Sequence, residues 1–592
     1  MNTKYRSFLF LLAFLFFSVE LQAQSLDYIM NMVHNNPGEK PFDTKYVDPT
    51  YLKSQGFKAA VLFCHINTGI TYDNFEKNVV PKGSEERKWI ENKALVNLAK
   101  IHSYKAVGLN VYAFTDFLVF PKSIWDKYGD QIEAKDTKED NPGGIAERAR
   151  KPDIQRKMTQ KLLITQIDDI FSHFPELDGI VLRFGETYLQ DTPFHRGGSP
   201  ISNNDEQSIK DHILLINILR EEICVKRNKK LFYRTWDFGN RFHVNPKYYL
   251  AVTNAIEPHP NLFFSIKYQQ GDFQRMTPFN PCIGIGKHRQ IIESQSQMEG
   301  YGKGSHPYYT GSGVINGWPE TKYELNWQTN GFTGKLNPPD AQRGVKDILK
   351  NGLLAGIWTW SNGGGWEGPY LKNEIWNDLN NYVVSHWAMD VSRPEETLFR
   401  EFTDRMGLSG INADIFRQIA LLSIEGVRKG QLNSYTDNSV WWARDQFFSA
   451  ESNTKIVKSI LDKHLEKKVL AEKTEAVAIW RQMEALSNQL EMKDSITLEA
   501  IRVSCTYGRI KFALIEQMWI LMIEDGNFKL KGEMNKEVVR KAIQKYDDLW
   551  AEWRLLKNSS SQCASLYTDK AFMDKREGSI GEMVDNMREM VK

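Results

Sequence analysis

Cysteine is scarce in this sequence, with five residues in a chain of 592. None of the five stands in a CxxC or Cys/His spacing, so the sequence shows neither a disulfide framework nor a zinc motif. The motifs HExxH, GxSxG and the glycine-rich phosphate loop are also absent, which argues against the enzyme classes that depend on them. We expect isolated, partly buried thiols, and a single structural bridge in an oxidising compartment stays open. The cysteines are Cys64, Cys224, Cys282, Cys505 and Cys563.

An excess of one charge and long apolar runs are missing as well. The 76 basic and 74 acidic residues leave a net charge of +2, so no nucleic acid is indicated as a partner. The apolar run Phe8–Val19 follows Lys4 and Arg6, is too short to span a bilayer comfortably, and precedes a signal-peptidase-like Leu21-Gln22-Ala23. We predict a signal peptide over residues 1–23 and a periplasmic or secreted protein, with no membrane contact after its removal.

After the predicted signal, short apolar runs alternate with stretches of helical periodicity. Eight runs rich in β-branched and aromatic residues, separated mostly by helices, predict an α/β fold: a (β/α)8 TIM barrel over residues 24–391. The predicted strands are Tyr28–Val33, Phe57–Cys64, Ala106–Phe114, Asp178–Phe184, Lys230–Thr235, Leu262–Ile266, Gln290–Ser294 and Leu354–Trp360.

From residue 392 to residue 592 the strand-like runs stop and long amphipathic patterns replace them. This change predicts an all-helical C-terminal domain. The domain either caps the barrel or forms a homodimer, and the sequence does not choose between the two. The predicted helices are Glu395–Met406, Ile411–Lys429, Lys455–Gln489, Ser495–Glu524 and Lys536–Lys557.

Three carboxylates follow predicted strands, where barrel enzymes place their chemistry. Glu186 comes after the fourth strand, Asp272 after the sixth and Glu299 after the seventh. Each alone is equally well explained as a loop or turn residue. Together, two carboxylates from neighbouring strand ends can hold and deprotonate one water while a third protonates a leaving group. We therefore predict a glycosidase site that needs no metal or cofactor; the 16 tryptophans fit sugar stacking.

Basic residues stand at matching strand ends. Arg183, Arg234 and Lys267 predict a positively charged barrel mouth that suits an anionic substrate, because arginine grips a carboxylate with two hydrogen bonds. The alternative is that they neutralise the three carboxylates. His306 is a candidate sugar contact or a loop hydrogen bond. Trp366, near the last predicted strand, is a candidate for stacking on a sugar ring together with two tryptophans of that strand. The alternative is that the two strand tryptophans lie half in the core.

Several segments carry a resemblance to a known family. The stretch FSIKYQQGDFQRMTP, with Lys267 and Asp272 five apart, is similar to VQIKNGPxDFQxREP of the glycoside hydrolase family 67 α-glucuronidases. The stretch from Glu293 to Glu299 resembles that family's EVQxTQEYxGQ, and Tyr233-Arg-Thr-Trp resembles its WRAFVY strand. Asn362-Gly-Gly-Gly-Trp366 looks like the start of a further family segment. Around Glu186 the sequence LRFGETYLQD departs from the family's KADSEGQPGP.

The resemblance implies an exo-acting, inverting hydrolase that removes glucuronate or 4-O-methylglucuronate from xylan-type oligosaccharides. Glu186 would be the general acid, and Asp272 with Glu299 the water-activating pair. Arg234 and Lys267, with Arg183 near a third basic position, would hold the uronate carboxylate. Two alternatives stay open: a glycosidase of the same architecture that acts on another uronide or a neutral plant or algal fragment, and a non-catalytic glycan-binding protein.

Overall fold

In the computed structural model, eight parallel strands close into one barrel, and each strand pairs with the strands before and after it in the chain. The first and last strands close the circle through a parallel register that runs from Tyr28 opposite Gly356 to His34 opposite Gly363. The predicted barrel is therefore confirmed. The strands are β1 Tyr28–His34, β2 Ala59–Phe63, β3 Asn110–Asp116, β4 Gly179–Arg183, β5 Lys230–Arg234, β6 Leu262–Lys267, β7 Gln290–Gln295 and β8 Leu354–Gly363.

The structure describes most of the chain, with gaps at several loops. The described residues are 24–34, 43–135, 150–185, 187, 189, 191–237, 241–270, 273, 275, 279–296, 305–318, 326–329, 332–335, 344–363, 370–436, 450–566 and 580–592. No helix within these residues is long and apolar enough to cross a membrane. The predicted signal peptide lies outside them. All five cysteines lie inside them, and each is a buried free thiol, as the sequence predicts.

Helices connect the strands on the outside of the barrel. They are α1 Pro49–Ser54, α2 Glu85–Ala106, α3 Lys122–Ile132, α4 Lys157–His173, α5 Asp205–Leu219, α6 Pro246–Thr253, α7 Gly311–Asn316 and α8 Ile375–Met389. Short 3-10 helices lie at Lys45–Val47, Ile66–Gly69 and Val345–Asn351, and a π-helical turn lies at Arg220–Val225. Two short antiparallel pairs join Phe120–Pro121 to His195–Arg196 and Asn326–Thr329 to Phe332–Lys335.

The boundary between α2 and β3 lies later in the chain than the sequence pattern suggests. The predicted strand begins at Ala106, but α2 continues through that residue. The chain then turns at Gly108, whose φ of 78° lies in the left-handed region that glycine enters without penalty. Strand β3 consequently starts at Asn110 and extends past Phe114 to Asp116.

Aromatic side chains fill the lower half of the barrel interior. Four strands each contribute one ring from their first three residues. The four rings, which we call the lower aromatic layer, are those of Tyr28, Tyr112, Phe232 and Phe263. Their ring centroids lie 4.9 Å apart for Tyr28–Phe263, 4.9 Å for Tyr112–Phe232 and 5.1 Å for Phe232–Phe263. Edge-on and stacked rings at these distances attract one another beyond the effect of burial alone. This layer closes the barrel below and leaves its upper end for polar groups.

Beyond the barrel, the described residues form helices joined by turns and loops, and no strands. The helices are α9 Glu395–Arg405, α10 Ile411–Gly430, α11 Ala450–Asp462, α12 Glu466–Gln489, α13 Ser495–Lys531, α14 Lys536–Ser559 and α15 Ile580–Met590. The single predicted helix Lys455–Gln489 is wrong: the chain breaks near His464, whose φ is +52°. Trp480 of α12 stacks on Phe512 of α13 at 4.5 Å. A side chain at Gly508 would meet the Trp480 ring at 2.3 Å, so this contact requires glycine.

Candidate active site at the barrel mouth

Four charged or polar residues end successive strands at one edge of the barrel. Arg183 ends β4, Arg234 ends β5, Lys267 ends β6 and Gln295 ends β7. Because the strands are parallel and their registers run in step, with Arg234 opposite Ser265 and Lys267 opposite Glu293, these ends face the same mouth. This is the end of a barrel that carries active sites.

A carboxylate from β7, two strands further round the barrel, holds Arg234 in place. Its Nε and Nη2 donate to the two oxygens of Glu293 at 2.9 and 2.8 Å, and the Ser265 hydroxyl donates to the same carboxylate at 2.8 Å. The Arg234 and Glu293 side chains are 2% and 0% exposed. The guanidinium lies over Phe114 and Trp358, 5.0 and 5.6 Å from the ring centroids. The pair therefore fixes the orientation of Arg234 in a water-poor interior.

Arg183 has an equivalent partner on the neighbouring strand β3. Its Nε and Nη2 donate to the two carboxylate oxygens of Asp116, the last residue of β3, both at 2.6 Å. Both side chains are 2% exposed. His65, which follows β2, places its Nδ1 4.0 Å from Asp116. Burial, together with the nearby Arg183 charge, holds the pKa of His65 well below its usual value, so its imidazole is neutral.

Lys267 lies among aromatic rings. Its ammonium nitrogen is 3.6 Å from the centroid of Trp236, 4.9 Å from Phe273 and 5.5 Å from Trp360, and the residue is 1% exposed. A cation this close to an indole face is attracted by the ring quadrupole, and more strongly where water is excluded. The rings thus hold the Lys267 charge at the mouth and supply flat apolar surfaces beside it.

Asp237 is a carboxylate that the sequence analysis missed. It follows β5, and its oxygens accept from the backbone N–H groups of Arg241, Phe242 and His243 at 3.3–3.4 Å. Burial raises the pKa of Asp237 to about 6. A backbone bridge joins it to Gly185, where a Cβ would meet the Trp236 carbonyl oxygen at 2.8 Å. The strand-end rule that selected Glu186 also selects Asp237 when it is applied to β5.

His306 contacts the helical region. Its Nε2 lies 3.3 Å from the Lys511 amine, and its ring lies 5.1 and 5.3 Å from Trp480 and Phe512. Burial, with the Lys511 charge beside it, holds the pKa of His306 well below its usual value. Its Nδ1 lies 2.9 Å from the Pro307 carbonyl oxygen, which is the loop hydrogen bond foreseen as the alternative. The sugar contact of His306 stays a prediction.

The predicted catalytic residues Glu186, Asp272 and Glu299, and the candidate stacking residue Trp366, lie outside the described residues, so their roles stay predictions. The substrate-binding roles of Arg183, Arg234 and Lys267 are likewise untested. The structure brings five buried charged side chains together at this mouth of the barrel, and we call them the upper charged layer. Its members are Asp116, Arg183, Arg234, Lys267 and Glu293.

No family model and no curated protein matches the sequence. Among solved structures, the chain is similar to a GH138 enzyme targeting pectin rhamnogalacturonan II, with 11% identity and a TM-score of 0.52 over 96% of this chain and 68% of that one. It also aligns with the Thermobaculum terrenum O-GlcNAc hydrolase, at 10% identity and a TM-score of 0.37 over 96% and 95% of the two chains. The first likeness supports the fold. The second is too distant to add to it.

Proposed function

We propose that this chain is a glycoside hydrolase whose active site is the upper mouth of the barrel. The observation that carries the proposal is the upper charged layer itself. Buried charges cost free energy and seldom improve stability over apolar side chains of the same size, so a layer of five at the catalytic end of a barrel favours a chemical role. The loops that contain Glu186, Asp272 and Glu299 leave the barrel from the strand ends that adjoin this layer.

The proposed reaction is hydrolysis with inversion. Glu186 donates a proton to the glycosidic oxygen, and Asp272 with Glu299 binds a water on the opposite sugar face and takes its proton. An inverting pair needs an acid–base separation of roughly 6.5–9.5 Å to admit that water. Arg234 and Lys267 hold the substrate carboxylate. The Glu293 carboxylate accepts from two N–H groups of Arg234 and thereby fixes the plane of the guanidinium.

The first candidate substrate is a xylan-type oligosaccharide with an α-linked glucuronate or 4-O-methylglucuronate. The resemblance of the Lys267–Asp272 segment to the family 67 α-glucuronidases supports it. In the test, the wild type and the Glu186→Gln and Asp272→Asn variants receive aldouronic acids while NMR follows the product anomer. We expect an inverted product from the wild type and a loss of about 1000-fold or more in kcat from each variant. Glu206→Gln, on the exposed face of α5, is the matched control.

Activity retained in both variants, or a product of retained configuration, would refute this mechanism. Binding of the oligosaccharide in calorimetry with no turnover would instead support the non-catalytic glycan-binding alternative.

The second candidate substrate is a pectin fragment. It is favoured by the alignment over 96% of this chain with the enzyme that targets pectin rhamnogalacturonan II, and by the departure from family 67 around Glu186. A panel of aldouronic acids, galacturonate-containing oligosaccharides and neutral oligosaccharides separates the candidates. Hydrolysis of a neutral glycoside alone would contradict the carboxylate-binding role of Arg234 and Lys267 and leave the glycosidase proposal standing.

A further inference from the structure

A buried histidine at the barrel mouth has no part in the reaction described above. His65 follows the end of β2 by two residues and is 5% exposed. Its ring centroid lies 4.9 Å from that of Phe63, the last residue of β2. The Arg183 guanidinium lies over the same Phe63 ring at 5.5 Å. These contacts place the His65 imidazole beside the upper charged layer.

The backbone of His65 has an uncommon conformation. Its φ of 43° and ψ of 56° lie in the left-handed region, which residues other than glycine enter at a cost in free energy. The chain turns there from β2 into the short 3-10 helix Ile66–Gly69. Strained residues of this kind are concentrated at sites that bind ligands. Glycine would make the same turn without the cost, so the imidazole needs an explanation beyond the turn.

The His65 ring is available for a hydrogen bond with a ligand. Its Nδ1 lies 4.0 Å from Asp116, which is too far for a hydrogen bond, and the Asp116 oxygens already accept from Arg183 at 2.6 Å. Among the described residues, neither ring nitrogen of His65 has a hydrogen-bond partner. A neutral imidazole offers one N–H donor and one acceptor, and a sugar hydroxyl can bind to either.

His65 and Lys267 lie on opposite sides of the mouth. In the closed order of the barrel, β2 and β6 are four strands apart in either direction. Lys267 ends β6, and Arg234, the other cation of the proposed carboxylate site, ends the adjacent strand β5. A sugar whose carboxylate is held by Lys267 and Arg234 therefore presents its far edge to the β2 side of the mouth.

We propose that His65 is a specificity-determining residue that hydrogen-bonds the 2-hydroxyl of a bound uronate. The inference rests on the proposed function, in which this mouth holds the carboxylate of the substrate. In a pyranose ring the carbon that bears the 2-hydroxyl lies directly across from the carbon that bears the carboxylate. Glucuronate and galacturonate have the same 2-hydroxyl, so the inference applies to both candidate substrates.

The test measures by calorimetry how tightly the full chain binds glucuronate, galacturonate and the 2-deoxy form of each. The variants are His65→Ala and His65→Asn; asparagine tolerates the left-handed conformation, and its shorter side chain does not reach as far as the imidazole. His288→Ala is the control. His288 is also buried, at 2% exposed, but it precedes β7 and so lies at the other end of the barrel. Thermal unfolding establishes that each variant is folded at the temperature of the measurement.

We expect the wild type to bind the uronate about tenfold more tightly than its 2-deoxy form, which is the effect of one neutral hydrogen bond. In both His65 variants this ratio should fall to about one, because the uronate loses affinity and the 2-deoxy sugar does not. The control should keep the wild-type ratio. A merely structural role of His65 would weaken both sugars equally and leave the ratio unchanged.

A ratio that stays near the wild-type value in a folded His65 variant would overturn the proposal, as would a wild type that does not distinguish the two sugars. If aldouronic acids are nevertheless hydrolysed, the inference fails alone and the proposed function stands. If the ratio depends on His65 but no glycoside is hydrolysed, the proposed function fails and the binding role of His65 stands. A wild type that binds none of the four sugars would overturn both this inference and the carboxylate-holding role of Arg234 and Lys267.

Discussion

The two halves of the barrel interior are filled by opposite chemistry. The lower aromatic layer consists of four rings whose centroids lie 4.9–6.4 Å apart in the five pairs that are in contact, whereas the upper charged layer places three cations and two carboxylates in a buried interior. Aromatic packing stabilises the fold through burial and ring contacts. Burying charge costs several kcal/mol per ion, and mutual attraction does little more than offset that cost.

The difference separates what the barrel needs for folding from what it needs for function. A barrel filled with rings from end to end would be at least as stable, since replacing a buried ion pair by apolar residues is often neutral or favourable. This is the physical ground for the chemical role that we propose for the upper charged layer. This contrast predicts that substitutions in the two layers affect stability and catalysis in different proportions.

The largest effect is expected when one partner of the central ion pair is removed. Glu293→Ala removes the carboxylate that accepts both hydrogen bonds of the buried Arg234 pair, and we expect a loss of about 3–5 kcal/mol in the free energy of unfolding, measured by denaturant titration. The double variant Arg234→Met with Glu293→Leu should recover most of that loss while hydrolysis is abolished. A single variant as stable as the wild type, or a double variant no more stable than the single one, would contradict the contrast.

The next effect is a pH dependence that comes from Asp237. In the folded chain its pKa is about 6, against an ordinary value of 3.8. Between these values the folded protein holds a proton that the unfolded chain has released, so this group's contribution to stability falls as the pH rises through the window. Across this pH window, the contribution of Asp237 to the free energy of unfolding changes by about 3 kcal/mol.

The measurement compares the free energy of unfolding of the wild type and Asp237→Asn at about pH 4 and about pH 7. Relative to the variant, the wild type should be more stable at the lower pH and lose that advantage at the higher pH. Asp205→Asn, whose side chain is 81% exposed, should show no such crossover. Parallel pH curves for the wild type and Asp237→Asn would show that Asp237 is not held in its neutral form.

A smaller effect is expected in the lower aromatic layer. Phe232→Leu replaces one ring by a smaller aliphatic side chain and leaves the other three rings, so we expect a loss of about 1 kcal/mol in the free energy of unfolding. Because the ring lies below the charged layer, kcat and KM should remain within about twofold of wild type. A tenfold loss of kcat in a folded Phe232→Leu protein would mean that the two layers are not separable.

The fold was largely predictable because its signals are local. Each barrel strand is a short apolar run between helical stretches, and such runs can be recognised without knowing their neighbours. The misplaced boundaries arose where one backbone angle decides the outcome, at Gly108 and His464. A positive φ is hard to predict from a sequence when the residue is histidine.

Three of the five residues of the upper charged layer were predictable from the sequence. Arg183, Arg234 and Lys267 stand at strand ends, which a sequence reading can find. Asp116 also ends a strand, but the predicted strand stops at Phe114 and so misses it. Glu293 cannot be found in this way, because it sits inside the apolar run of β7, 59 residues from Arg234, and only the barrel register brings the two together.

The smallest effect is expected where the same charges meet at the surface. Lys210 donates to Glu206 at 2.7 Å, with side chains 59% and 83% exposed. This distance is as short as those of the buried pairs, but water screens the attraction and solvates either partner when the other is lost. Glu206→Gln should therefore unfold at the same denaturant midpoint as the wild type, within error. A loss comparable to that of Glu293→Ala would mean that burial is not what makes the barrel's ion pairs costly to break, and the contrast between the two layers would lose its physical basis.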